Sequence, residues 1–156
     1  MAALTHGQEL GRYVVKNLIK QNRYTETYRV EDEDHHPFFL KLFILKDMPA
    51  KLINPETGIV FEIEYSKQLT HKNLVNYVDS GTVNLERGEC SYYLANYFTG
   101  ELLAEKLYRE GKIGEEEALA IFRGIPETID LGHASKPCAG KVYFDMNRSP
   151  IGFKHY

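Results

Sequence analysis

Lys41 is the residue whose setting most plainly asks for chemistry. It stands in Pro37-Phe-Phe-Leu-Lys-Leu-Phe-Ile44, an otherwise apolar run of strand-forming residues. Such a run reads as a central strand buried on both faces. A buried ammonium must be paired or must reach solvent. In one reading Lys41 snorkels from an edge strand. In the other it points into a phosphate-binding cleft and is held by a carboxylate from a following helix.

The other reactive side chains carry less. Asp32-Glu-Asp-His-His36 puts two aspartates beside two adjacent histidines. Nothing elsewhere in the sequence converges on that stretch, so it reads as turn chemistry rather than a metal site. Cys90 and Cys138 have no metal-ligand spacing. Without an export signal they are expected to be free thiols in a reducing cytosol. The formal net charge of -3 gives no basic excess, which argues against a nucleic-acid partner. No apolar run approaches membrane length, and Met1 to Gln8 lacks a hydrophobic signal core. The expected location is cytoplasmic. The chain has 156 residues, enough for one ordinary domain, and its 43% hydrophobic content fits a globular protein.

The elements that must position Lys41 follow from periodicity. Met1 to Leu10 is polar with little pattern and is expected to fray. Arg12–Ile19 and Thr27–Glu31 read as a hairpin, followed by the Phe38–Ile44 strand. Lys46–Gly58, with Pro49 and Pro55, reads as a loop. Ile59, Val60, Ile63 and Leu69 recur at helical spacing, with polar residues between them. Leu74–Asp79 reads as a strand ending in a Ser80-Gly81 turn. Thr82–Leu85 and Ser91–Tyr97 then read as a hairpin about Glu86-Arg-Gly-Glu89. Leu102–Tyr108 and Glu115–Ile125 read as helices, the second stopped by Pro126. The order describes an antiparallel sheet with one inserted helix, then a helical part.

In this order the residues resemble the amino-terminal lobe of a protein kinase. Phe38-Phe-Leu-Lys41 looks like the V-A-I-K strand. Glu62-Ile-Glu-Tyr-Ser-Lys-Gln-Leu-Thr-His71-Lys-Asn-Leu-Val75 resembles the αC helix and its exit. Ser91-Tyr-Tyr-Leu-Ala-Asn-Tyr-Phe-Thr-Gly100-Glu-Leu-Leu103 resembles the last sheet strand, the hinge and the start of αD, and Glu115–Ile125 the start of αE. The resemblance implies an α+β fold: a kinase-like N-lobe with a five-stranded antiparallel sheet and one αC-type helix, then short αD and αE helices and an incomplete C-lobe. It implies a flexible segment over 1–11, the N-lobe over 12–98 and a partial C-lobe over 99–156. It makes Lys41 the lysine for the α/β-phosphates and Glu62 its ion-pair partner. Ala95 falls at the gatekeeper position and Asn96 to Phe98 at the hinge. Ile19, Thr27 and Phe39 complete the implied nucleotide contacts, and ATP with Mg2+ is the implied cofactor.

Three departures bear on activity. Where a kinase has G-x-G-x-x-G-x-V, this chain reads Lys20-Gln-Asn22-Arg-Tyr-Thr25-Glu-Thr27, with no glycine at the three glycine positions. Phe39 stands where a small alanine would roof the adenine. Thr128-Ile-Asp-Leu-Gly-His-Ala134 resembles the D-F-G turn, with Asp130 as the metal-binding aspartate, yet only five residues separate Gly124 from Asp130. A catalytic loop does not fit there. In a second register Tyr143-Phe-Asp145 stands in for H-R-D. Pro126 inside the preceding helix argues against it, and so does the lack of an asparagine at the required distance. The function implied is a protein kinase-like, ATP-binding serine/threonine kinase homologue that is catalytically incomplete as this chain. The alternatives are a pseudokinase-type interaction module without nucleotide and a truncated or internally deleted gene product. A small α+β binding domain unconnected with nucleotide also stands as an alternative. The aromatic tail with Tyr143, Phe144, Phe153 and Tyr156 is the expected surface for a protein partner.

Overall fold

Strand β4 (Pro37–Ile44) lies in the middle of the structure's main sheet, as its continuous apolar run requires. In this computed structural model, residues 1–70, 72 and 74–123 are described, and residues 140–145 and 149–155 are described as strands. The main sheet has the order β1-β2-β3-β4-β6-β5. Its members are β1 (Glu9–Leu10), β2 (Tyr13–Gln21), β3 (Thr25–Glu31), β4, β5 (Tyr77–Leu85) and β6 (Gly88–Asn96), and every pairing is antiparallel. The five expected strands are joined by the short β1 at one edge. The edge-strand reading of Lys41 therefore falls, because β4 has β3 on one side and β6 on the other.

Residues directly opposite in neighbouring strands share a face of the sheet. One face carries Tyr28, Val30, Leu40, Leu42, Ile44, Cys90 and Leu94 in a single core with Leu4, Leu10, Tyr13 and Val15. The other face carries Phe43, which packs with Met48, Val60 and Ile63 in a second core. Helix α1 (Phe61–Gln68) belongs to this second face and contributes Ile63 to it.

The amino-terminal segment, expected from its sequence to fray, lies on the first face. Leu4 and Leu10 are buried there. The backbone N–H groups of Ala3 and Leu4 donate to the Glu26 carboxylate at 2.8 Å and to the Tyr28 hydroxyl at 3.0 Å. Glu26 is 0% exposed. Its carboxylate also accepts from Gln21 Nε2 at 2.9 Å, Arg87 at 2.9 Å and the Tyr28 hydroxyl. A buried carboxylate persists when its oxygens are satisfied in this way. Burial, reinforced by the adjoining Glu26 carboxylate, pushes the Tyr28 hydroxyl well above its ordinary pKa.

The expected turn at Ser80-Gly81 is absent. β5 runs straight through it, with one irregularity between Tyr77 and Asp79. Gly81 faces Tyr92 across the ladder, and a Cβ on it would lie 2.7 Å from the Tyr92 hydroxyl oxygen. The glycine serves close approach within a strand rather than a turn.

The chain divides into two compact units, Met1–Lys67 with Tyr77–Tyr97, and Gln68–Asn76 with Phe98–Tyr156. The second contains β7 (Gly100–Leu102), α2 (Leu103–Glu110), a helix α3 with described residues 115–123, β8 (Gly140–Asp145) and β9 (Ser149–His155). The Glu105 carboxylate accepts the Leu102 N–H at 2.9 Å at the start of α2, and Gly111, at φ +75°, ends it. β7, β8 and β9 form a separate antiparallel sheet in that order. No helix among the described residues is long and apolar enough to cross a membrane.

Candidate functional site

The Lys41 ammonium meets both oxygens of Glu62, at 2.7 Å and 2.8 Å. Each side chain is placed by its own element. Register sets Lys41 opposite Thr27 on β3 and Tyr93 on β6, so all three share the face that α1 covers. Glu62 lies in the first turn of α1, next to the core residue Ile63. The entry to that helix is tied down by Glu64, which accepts from Asn54 Nδ2 at 3.1 Å and from the Thr57 hydroxyl at 2.8 Å. The Lys41 and Glu62 side chains are 10% and 13% exposed. The pair is thus largely withdrawn from water. The Phe43 ring lies beneath the ammonium, with 5.3 Å to its centroid.

A third group shares the carboxylate. The Tyr93 hydroxyl donates to Glu62 Oε1 at 2.9 Å. Sequence reasoning missed Tyr93, although strand alternation from Ala95 places it on the same face two residues earlier.

Phe39 also lies on this face, opposite Arg29 and Ala95. Its ring packs against Tyr97 at 4.7 Å between centroids, and the Arg29 guanidinium sits 5.6 Å from the Tyr97 centroid. Ala95 is buried. Asn96 pairs with Phe38, so its side chain belongs to the opposite face from Lys41. Phe98 belongs to the second unit. Thr27 is buried directly across from Lys41, whereas Ile19 falls at an irregularity of the β2–β3 ladder and is 45% exposed.

Between β2 and β3 the chain makes a tight turn. The Asn22 N–H donates to the Thr25 carbonyl at 2.7 Å, and the Asn22 side chain donates to the Thr25 hydroxyl at 3.2 Å. The Tyr24 carbonyl is pinned to the Ile44 N–H at 2.9 Å. A phosphate cradle needs backbone amides turned outward; the Asn22 amide is already engaged.

Asp130 and the D-L-G stretch lie outside the described residues. Asp145 ends β8, opposite Gly100 on β7 and Ser149 on β9. Asp32, Asp34 and His36 bring ligand atoms within 4.8 Å of one another. The Asp32 carboxylate there accepts the N–H groups of Asp34 at 3.0 Å and His36 at 2.8 Å, which is the turn chemistry expected of it.

A lysine at the centre of an antiparallel sheet, paired with a glutamate on a helix packed against that face, is the arrangement of a kinase N-lobe. Comparison with known proteins agrees. The crystal structure of the Mycobacterium tuberculosis PknI kinase domain superposes with a TM-score of 0.68 at 18% identity, covering 97% of this chain and 62% of that one. The chain has a protein-kinase-like fold. The antiparallel sheet with its few helices matches a kinase N-lobe, with a partial C-lobe. A probable serine/threonine-protein kinase of Dictyostelium discoideum is 26% identical over 138 residues, 83% of this chain. The chain spans 12% of the length of that relative. No family model matches the chain.

Proposed function

We propose that this chain is an ATP-binding domain of the serine/threonine-kinase type that transfers no phosphoryl group by itself. The Lys41–Glu62 pair carries the proposal. A lysine held by a carboxylate is a pre-aimed point charge for phosphate. With Glu62 orienting its stem, the ammonium turns one proton toward the phosphates without leaving its partner. Asp130 is the proposed magnesium ligand. The catalytic-loop base is missing from the sequence between Gly124 and Asp130, so the nucleotide is held rather than consumed.

The test is a thermal melt with and without Mg-ATP. At a hundredfold excess over Kd, binding adds about 2.7 kcal/mol, a rise on the order of 5–10 °C for a domain of this size. Lys41→Ala and Asp130→Ala are expected to abolish the rise. A flat response in the wild-type protein removes the nucleotide reading.

The packing of Phe39 on Tyr97 favours a second reading, in which the base position is filled by the protein itself. The domain is then a pseudokinase-type module in the cytosol that works through a protein partner. The tail around β8 and β9 is its proposed docking element, since β9 ends the order of its sheet and an edge strand can accept an extended peptide.

A further inference from the structure

We infer that Tyr93 is a positioning residue that fastens Glu62, and with it helix α1, to the sheet whether or not Lys41 is engaged by a ligand. The inference rests on the hydrogen bonding of the first unit and goes beyond the nucleotide reading.

Glu62 Oε1 accepts two bonds, from Lys41 Nζ at 2.7 Å and from the Tyr93 hydroxyl at 2.9 Å, while Oε2 accepts from Lys41 at 2.8 Å. The two donors differ in stiffness. Lysine has a four-carbon stem and swings readily toward any anion that approaches. Tyrosine has a rigid ring with two side-chain torsions. That ring is stacked on Phe43, with centroids 6.1 Å apart and planes 22° apart, and Phe43 packs in the same core as Val60 and Ile63. The hydroxyl is therefore presented to the helix by a side chain that packing already holds.

α1 needs such a tie. It has eight residues, of which Ile63 is the buried one. A helix of that length is not stable alone, and its order comes from docking. When Lys41 turns toward an anion, the carboxylate loses part of its counter-charge. The Tyr93 bond does not depend on where the ammonium points. It keeps Glu62 facing the sheet, and α1 stays docked in both states.

Tyr93→Phe removes the hydroxyl and leaves the ring on Phe43. Amide hydrogen exchange across Ile63–Lys67 reads the docking of α1. A hydrogen bond to a charged group is strong enough that Tyr93→Phe is expected to speed this exchange roughly tenfold or more, with β6 amides unchanged. In a Glu62→Ala background the same change is expected to add nothing, because the tie has no acceptor. Unaltered exchange in Tyr93→Phe overturns the inference, as does equal acceleration in both backgrounds, which would mean general loosening. Should Glu62→Ala not fold, 4-aminophenylalanine at position 93 restores a donor on the same ring. Recovery of wild-type protection then supports the tie, and failure to recover overturns it. A flat melting response to Mg-ATP leaves these outcomes unchanged, so the two proposals fail separately.

Discussion

Phe39 and Ala95 stand directly opposite each other in the β4–β6 ladder, so a phenyl ring and a small side chain lie side by side on one face of the sheet. That ring continues onto Tyr97, which in turn carries the Arg29 guanidinium. On the kinase-like reading this stack stands where an adenine would lie. On the proposed nucleotide reading, a base would have to compete with these two large side chains for one slot on the face that also holds Lys41.

Phe39→Ala is therefore expected to tighten Mg-ATP binding, or to create binding where the wild-type protein shows none, as read by titration calorimetry. The substitution is expected to cost about 3 kcal/mol of stability, because a largely buried ring is lost. Denaturant melts measure that cost independently. Unchanged or weaker nucleotide affinity in a folded variant would falsify the occlusion reading.

Glu26→Ala tests the packing of the amino-terminal segment. It leaves the Ala3 N–H, the Tyr28 hydroxyl, Gln21 and Arg87 without their shared acceptor. The expected loss is about 3 kcal/mol, since the buried Tyr28 hydroxyl and its neighbouring donors lose the carboxylate that satisfies them. Exchange of the Ala3 and Leu4 amides is expected to rise by at least about tenfold, more than that of β4 amides. Equal changes at both places would mean that Glu26 supports the sheet generally and does not anchor the segment.

Glu31 supplies a pH dependence. Its carboxyl is held below the ordinary glutamate value by a hydrogen bond from Lys16, at 3.1 Å, with Arg29 adding to the effect. The folded pKa lies below the unfolded one, so the unfolded chain takes up the proton first as pH falls. The pair's contribution is complete above the ordinary glutamate range and disappears as pH drops through the folded value. Melting temperatures measured from pH 6 down to about pH 3 are expected to fall less steeply in Lys16→Met than in the wild-type protein. Parallel curves would exclude the pair as a source of acid sensitivity.

Much of the lobe was legible in the chain. The Pro37–Ile44 run announced a central strand, and the change of period after Ile59 announced the helix over it. The spacing of Lys41 and Glu62 then located the pair through the kinase resemblance. These signals are local, since alternation and helical period are written in neighbouring residues. Gly81 misled for a local reason too. Serine followed by glycine reads as a turn until the residue across the ladder is known to be Tyr92.

By itself, then, the sequence determined the first three strands of the lobe, the helix that follows them, and the lysine with its glutamate. Only the tertiary structure decided that Tyr93 shares the carboxylate of Glu62, that Phe39 packs on Tyr97, and that Glu26 is buried beneath the amino-terminal segment. Each of these depends on which residue lies opposite which, across strands separated by many residues. Sheet register is set by the packing of whole faces, and a shift of one residue would turn every one of these side chains to the other side.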